Sequence, residues 1–287
     1  MKIVVLGATG QLASSFKKVA PSYLDVTYLS HAEAPFENYD MIERKLNELN
    51  PTHVINTVAY TKVDLAESER DLCFLINYET PVKIAKWCKQ NNALFVHYST
   101  DYVFNGKGEK PWTEEDPTDP LNVYGMSKMR SEKEILALEC AYVFRTSWVY
   151  SEFGQNFVKT MIKFFQERET LNIVSDQIGT PNYAPELASA TLKVLESENK
   201  LGLYHLSAQG ECSWYEFALK IKEYCEESGL KLAIRQINSI LSKDYVTPAQ
   251  RPLNSRLSSE KLYKEFSIRL PSWEDSLKPC VSELLKG

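Results

Sequence analysis

Met1-Lys2-Ile3-Val4-Val5-Leu6-Gly7-Ala8-Thr9-Gly10-Gln11-Leu12-Ala13 is the stretch whose reading decides the fold. Its apolar run is mostly β-branched and shows no polar alternation, the pattern of a parallel strand buried on both faces. Residues 14–20 can then run as a helix until Pro21. A glycine-rich turn between a strand and a helix offers free backbone N–H groups and a positive dipole end to a diphosphate. The spacing is Gly7-x-x-Gly10-x-x-Ala13 rather than the common Gly-x-Gly-x-x-Gly. An ordinary strand-to-helix turn that merely needs a positive φ is the competing reading.

Downstream the strand–helix rhythm repeats. A second strand over residues 25–29 ends at Ser30-His31, where a carboxylate would hold the ribose 2′-OH of NAD. No acid and no arginine stands at that point of the sequence, so Ser30 leaves the choice between the two nicotinamide cofactors soft. A helical pattern covers 38–49 and a third strand 53–56. That strand leads into Thr57-Val58-Ala59-Tyr60-Thr61, small and hydroxylated residues at a strand's C-terminal end, where ligands of open α/β sheets bind. An amphipathic helix over 67–91 precedes a fourth strand at 94–98. Three strand–helix units in succession predict an α/β fold with a Rossmann-type doubly wound parallel sheet. Further on, the pattern predicts helices to about residue 138 and over 156–168, 186–196 and 214–227, with strands at 141–144, 171–174 and 203–206. The expected organisation is a dinucleotide-binding domain over 1–150. Residues 151–287 would form mainly a smaller substrate-binding lobe, with a segment around 186–206 returning to the first domain.

The fourth strand delivers Ser99-Thr100-Asp101-Tyr102, and Tyr124-Gly125-Met126-Ser127-Lys128 follows. Tyr124 and Lys128, four apart, share one face of a helix. A tyrosine titrates near ~10, and an ammonium beside it favours the phenolate. The hydroxyls of Ser99 and Thr100 could bond a substrate carbonyl. These residues suit proton transfer to an oxygen while something else supplies a hydride, although Tyr-x-x-x-Lys alone arises by chance on many helices. The formal charge of -5 and pI near 5.6 argue against a general nucleic-acid binder. No apolar run approaches the ~20 residues that span a bilayer. Six scattered cysteines without a CxxC pair suit a reduced, cytoplasmic protein, and the histidines and carboxylates show no metal-ligand spacing. Trp148 could wall a sugar ring or fill a core.

The glycine turn, Ser99-Thr100-Asp101-Tyr102 and Tyr124-x-x-x-Lys128 resemble the signature of the extended short-chain dehydrogenases/reductases. Several further stretches are similar to the dTDP-4-dehydrorhamnose reductases within that family. They are Val54-Ile55-Asn56 through Tyr60-Thr61-Lys62-Val63-Asp64, Pro120-Leu121-Asn122-Val123-Tyr124-Gly125, Arg145-Thr146-Ser147-Trp148-Val149-Tyr150, Asp176-Gln177-x-Gly179 and Ala249-x-Arg251-Pro252-x-Asn254-Ser255. The likeness runs from residue 3 to about 262. It implies that NADPH, or NADH, delivers hydride to C4 of dTDP-4-dehydro-β-L-rhamnose, making dTDP-L-rhamnose for surface polysaccharide. Tyr124 would donate the proton, Lys128 would lower its pKa and hold the nicotinamide ribose, and Thr100 would bond the keto oxygen. Gly7, Gly10, Gln11 and Leu12 would cradle the diphosphate. Ser30 would sit by the ribose, Phe36 by the adenine, and Val58, Ala59 and Tyr60 along the cofactor. Thr61, Val63, Asp101, Trp148 and Arg251 would meet the dTDP-sugar.

The family often has Asp-Phe at the adenine, whereas Pro35 precedes Phe36 here. Some members dimerise through a magnesium ion held by glutamates. Glu186 and Glu283 match two of these, but Ser15 stands at a third, which speaks against a metal bridge in a homodimer of this chain. A nucleotide-sugar 4,6-dehydratase needs an Asp-Glu pair where Asp101-Tyr102 stands. A reductase or synthase of another deoxysugar remains open, because pocket details decide the substrate. So does a non-enzymatic subunit like the β subunit of methionine adenosyltransferase, although that protein departs from the Arg-Thr-Ser-Trp pattern kept here.

Overall fold

The computed structural model describes residues 1–197 and 200–286. In its first part β1 (Lys2–Leu6), α1 (Gln11–Val19), β2 (Asp25–Leu29), α2 (Tyr39–Leu49) and β3 (His53–Asn56) alternate. Then come α3 (Val63–Ala66), α4 (Arg70–Phe74), α5 (Thr80–Gln90), β4 (Leu94–Thr100), α6 (Val123–Leu136) and β5 (Ala141–Thr146). The second part holds β6 (Val149–Tyr150), α7 (Phe157–Glu167), β7 (Thr170–Val174), β8 (Ile178–Gly179), β9 (Asn182–Tyr183), α8 (Ala184–Glu196) and β10 (Gly202–His205). It ends with β11 (Cys212–Ser213), α9 (Trp214–Glu227), β12 (Gln236–Ile240), β13 (Asn254–Ser255), α10 (Glu260–Phe266) and α11 (Trp273–Leu284).

The main sheet has six strands in the order β10-β5-β4-β3-β1-β2, and every pairing in it is parallel. Side chains alternate across a strand, so Ile3 and Val5 enter one apolar layer and Val4 and Leu6 the other. The first layer packs against α1, α8 and α9, the second against α2 and α5. This is the doubly wound arrangement that the sequence predicts. The late strand β10 does join the sheet, pairing with β5, and α8 packs on α1. Residues 198 and 199, inside the segment expected to return, lie outside the described residues. The six cysteines are free and buried, and among the described residues no helix is long and apolar enough to cross a membrane.

Three local differences from the sequence reading bear on the site. Strands β4 and β5 run two residues further than expected, because Ser99 pairs with Arg145 and Thr100 with Thr146. The single helix expected over 67–91 is broken, and Leu75–Glu79 forms a π turn ahead of Pro81 in the first turn of α5. Such turns recur at functional sites. Here it turns Asn77 inward, where its side chain accepts from the Tyr60 N–H at 2.8 Å and donates to Ser127 Oγ at 3.1 Å. The third difference is β12, which pairs with β7 in a stretch where no element was expected.

Candidate active site

Helix α6 starts on Asn122, whose side chain accepts from the Gly125 N–H at 2.8 Å. A Cβ on Gly125 would fall 2.1 Å from the Tyr102 carbonyl oxygen, so only glycine lets α6 press onto the turn after β4. That contact brings the Tyr124 and Tyr102 rings edge to face, centroids 5.7 Å apart. Thr100 lies beneath them, donating to Asp101 Oδ1 at 3.0 Å and accepting from the Tyr102 N–H at 3.2 Å.

Burial dominates the charges here. It pushes the Tyr124 phenol up, with the Thr100 hydroxyl pulling the other way, and it lowers Lys128 to about 8 against the pull of Glu132. Burial, not the Lys128 charge, therefore sets the direction at Tyr124 in the free protein. Burial also pushes Asp101 up to about 6, more than the Ser255 and Thr100 hydroxyls draw it down. Among the described residues its Oδ2 has no hydrogen-bond partner, and neither do the buried hydroxyls of Ser99 and Thr146. Buried polar atoms are almost always partnered, so three orphans at the C-terminal edge of β4 and β5 suit a site that a ligand completes.

Beside this edge lies a cleft of about 210 Å³ walled by Gly7, Thr9, Gly10, His31, Ala34, Phe36, Thr57, Val58 and Ala59. Gly7 has φ +92°, and a Cβ there would meet Val58 Cγ2 at 2.8 Å, so the turn requires glycine on both counts. The structure thus gathers Gly7, Gly10, Phe36, Val58 and Ala59 from separate loops. Gln11 turns away: its Oε1 accepts from Ser151 Oγ and Asn156 Nδ2, each at 3.0 Å, which leaves its backbone to face the turn. Leu12 packs against the apolar layer. Tyr60 is buried and its hydroxyl donates to Glu69 at 2.6 Å.

At Ser30 the sequence reading needs a correction. A carboxylate does stand there: Glu33 Oε2 accepts from the Ser30 N–H at 2.9 Å and from its hydroxyl at 2.7 Å. These bonds hold Glu33 below its usual range. A helical turn back of three residues supplies an acid that strand-end spacing missed.

A second cavity of about 540 Å³ is lined by Tyr102, Phe157, Arg168, Gln177, Trp214, Tyr245 and Arg251, among others. Arg251 pairs with Asp64, Nη2 to Oδ2 2.8 Å, tying α3 to the C-terminal segment. Trp148 stacks behind this wall on Trp214. Thr61 is exposed and Val63 half-buried, and neither is among the residues lining the two cavities.

Residues 1–286 match the model of the RmlD substrate binding domain. The chain belongs to that family. It is 39% identical to the dTDP-4-dehydrorhamnose reductase of Escherichia coli (strain K12) over 294 residues, covering 99% of this chain and 98% of that protein. A crystal structure of a dTDP-4-dehydrorhamnose reductase from Clostridium acetobutylicum superposes with a TM-score of 0.93 at 34% identity, covering 99% and 100% of the two chains. One from Bacillus anthracis, in complex with NADP, gives 0.92 at 33%, again with 99% and 100% covered.

Two of the positions that the resemblance compared with a metal bridge bond within the chain. Ser15 is buried and donates to the Gln11 carbonyl at 2.9 Å, while Glu186 accepts from Ser276 Oγ at 2.7 and 2.8 Å. Sequence reasoning missed His97, which contacts Lys128, and Asn56, which contacts His97 from the other side. The apolar run of β4 hid the first, and the motif Val54-Ile55-Asn56 carried the second. It also missed the role of Arg145, which is buried in a pair with Glu132, Nη2 to Oε2 2.7 Å. Glu132 continues the Tyr124–Lys128 helix face by four residues, which was the available signal.

Proposed function

We propose that this chain is a cytoplasmic NAD(P)H-dependent reductase that converts dTDP-4-dehydro-β-L-rhamnose to dTDP-L-rhamnose. The observation that carries this reading is Tyr124 against Thr100, with Lys128 one helical turn further along α6, at the sheet edge beside the glycine-walled cleft. Gly7 and Gly10 would hold the diphosphate of NADPH, or of NADH, whose nicotinamide supplies a hydride when bound. Phe36 would lie by its adenine, and Val58, Ala59 and the backbone of Gln11 and Leu12 along its length. As C4 is reduced, its oxygen gains negative charge. Thr100 would hold that oxygen, the Tyr124 hydroxyl would give it a proton, and charged Lys128 would favour the resulting phenolate.

The second cavity suits the dTDP moiety. The guanidinium groups of Arg251 and Arg168 would meet a diphosphate, and the Trp214 indole offers a flat apolar face to a base or sugar. Asp101, just after β4, and Trp148, just before β6, would support this pocket, with Thr61 and Val63 further out at the start of α3. Residues 1–150 then supply most of the cofactor half and 151–287 most of the substrate half. A homodimer of this chain would lack the metal bridge, because Ser15 stands at one ligand position. The test is loss of nicotinamide absorbance when NADPH or NADH meets dTDP-4-dehydro-β-L-rhamnose, with dTDP-L-rhamnose identified as product. No turnover with either cofactor would overturn the reading.

A further inference from the structure

Lys128 is fully buried, and its ammonium nitrogen lies 3.1 Å from His97 Nε2. His97 is itself buried, on β4, and Ser131 Oγ is 3.3 Å from the same ring nitrogen. The other ring nitrogen, Nδ1, is 3.1 Å from Asn56 Nδ2. Asn56 stands directly opposite His97 in the β3–β4 pairing. Its amide cannot turn over, because its Oδ1 already accepts the Val58 N–H at 2.9 Å.

The hydrogen positions follow from this network. Asn56 Nδ2 is a donor, so His97 Nδ1 must accept. Burial and the neighbouring Lys128 hold His97 far below its usual range, so the ring is neutral and carries one proton. That proton is on Nε2, turned toward Lys128 and Ser131. An ammonium opposite an N–H sets donor against donor, whereas an amine presents a lone pair to it.

We propose that Asn56 locks His97 in its Nε2–H tautomer, and that His97 is a positioning residue favouring the neutral amine of Lys128, so that the pair sets the alkaline limit of turnover. The proposal rests on the assignment of the chain as a reductase. The titratable groups around Lys128 are His97 from β4, Cys73 from α4, and Tyr124 and Glu132 from α6, with Asp101 beyond Tyr124. Among the described residues Glu132, ahead of the Cys73 thiol, is the group that most favours the proton on Lys128, and Arg145 of β5 binds it through both Nε and Nη2. The His97 N–H therefore meets a lysine whose counter-charge is already engaged. Charged Lys128 supports the Tyr124 phenolate, so kcat/KM falls as Lys128 loses its proton, and the free enzyme's value reports that loss.

The experiment joins ring 15N spectra of histidine-labelled protein with pH profiles of kcat/KM. His97, identified by its absence from His97→Gln, should show Nε2–H in the unsubstituted protein. Asn56→Asp leaves the acceptor for the Val58 N–H and turns a carboxylate oxygen to Nδ1. The ring proton should then move to Nδ1, and the alkaline limb should rise by about one pH unit or more. His97→Gln, whose amide can accept from Asn56 and point its NH2 group at Lys128, should keep the limb near its original place. An Nδ1–H or doubly protonated ring in the unsubstituted protein would overturn the proposal. So would an Asn56→Asp protein whose tautomer switches while its limb stays put. If Asn56→Asp does not fold, the unsubstituted spectrum and the His97→Gln profile decide. The spectra need no turnover, so failure of the assigned reaction remains distinguishable from failure of this network.

Discussion

Trp148 lies flat against Trp214, with ring centroids 3.6 Å apart and planes 15° apart. Trp148 has φ +46°, and a Cβ on Gly179 would come within 2.9 Å of its indole, so the ring is packed tightly against both Trp214 and Gly179. Trp214, not Trp148, lines the larger cavity. The sequence offered Trp148 as either a sugar wall or a core residue, and the structure makes it the backing of a wall. Trp148→Ala should therefore lower stability by about 2–3 kcal/mol, as truncation of a large, partly buried aromatic does, and raise KM because Trp214 loses its support. A melting curve run beside the kinetics checks both. An unchanged melting temperature would show that the stack carries no weight.

Removing the Tyr124 hydroxyl should act on the chemical step alone. Tyr124→Phe keeps the edge-to-face contact with Tyr102 and the burial around it, so folding and cofactor affinity should hold. The loss in kcat should be ~10²–10⁴-fold, the usual worth of a general acid. A Phe variant that keeps more than about a tenth of the rate would mean that another group supplies the proton.

The carboxylate at Ser30 changes what is expected of the cofactors. Glu33 accepts two bonds from Ser30 at the end of β2, beside the cleft wall formed by His31. Its charge opposes a 2′-phosphate and suits a free 2′-hydroxyl. Glu33→Gln should improve kcat/KM for NADPH more than for NADH, by a few-fold and more so at low salt, since the group is exposed. Equal change with both cofactors would remove Glu33 from cofactor choice.

The parallel sheet was legible because buried parallel strands read as continuous apolar runs and the helices between them carry their own period. The glycine turn was legible as well, since Gly7 and Gly10 answer to φ and to space that other residues cannot occupy. What escaped the sequence depends on contacts across long separations. Two-residue strands such as β8 and β13 are too short for any period to show. Glu33 reaches Ser30 by a local fold-back, Arg251 finds Asp64 at 187 positions' distance, and His97 looked like one more residue in an apolar strand. The balance between burial and charge at Tyr124 and Lys128 could not be read either, because spacing gives proximity but not depth.

Asp101 gives the clearest dependence on pH. Its folded pKa of about 6 stands above the ordinary 3.8 because the carboxyl is buried. The folded state thus holds this proton more tightly than the unfolded chain. Stability from this group is fully present below about pH 4, declines as the pH rises toward 6, and stays lower above that. The difference between the two states corresponds to about 3 kcal/mol. Asp101→Asn keeps an oxygen to accept from Thr100 and removes the buried charge. At pH 7 the variant should melt higher than the parent, and near pH 4 the two should converge. Its activity should fall all the same if the ionised carboxylate holds the sugar, so stability and turnover would move in opposite directions. The same difference in melting temperature at both pH values would show that Asp101 does not titrate with folding, and that its raised pKa has no hold on stability.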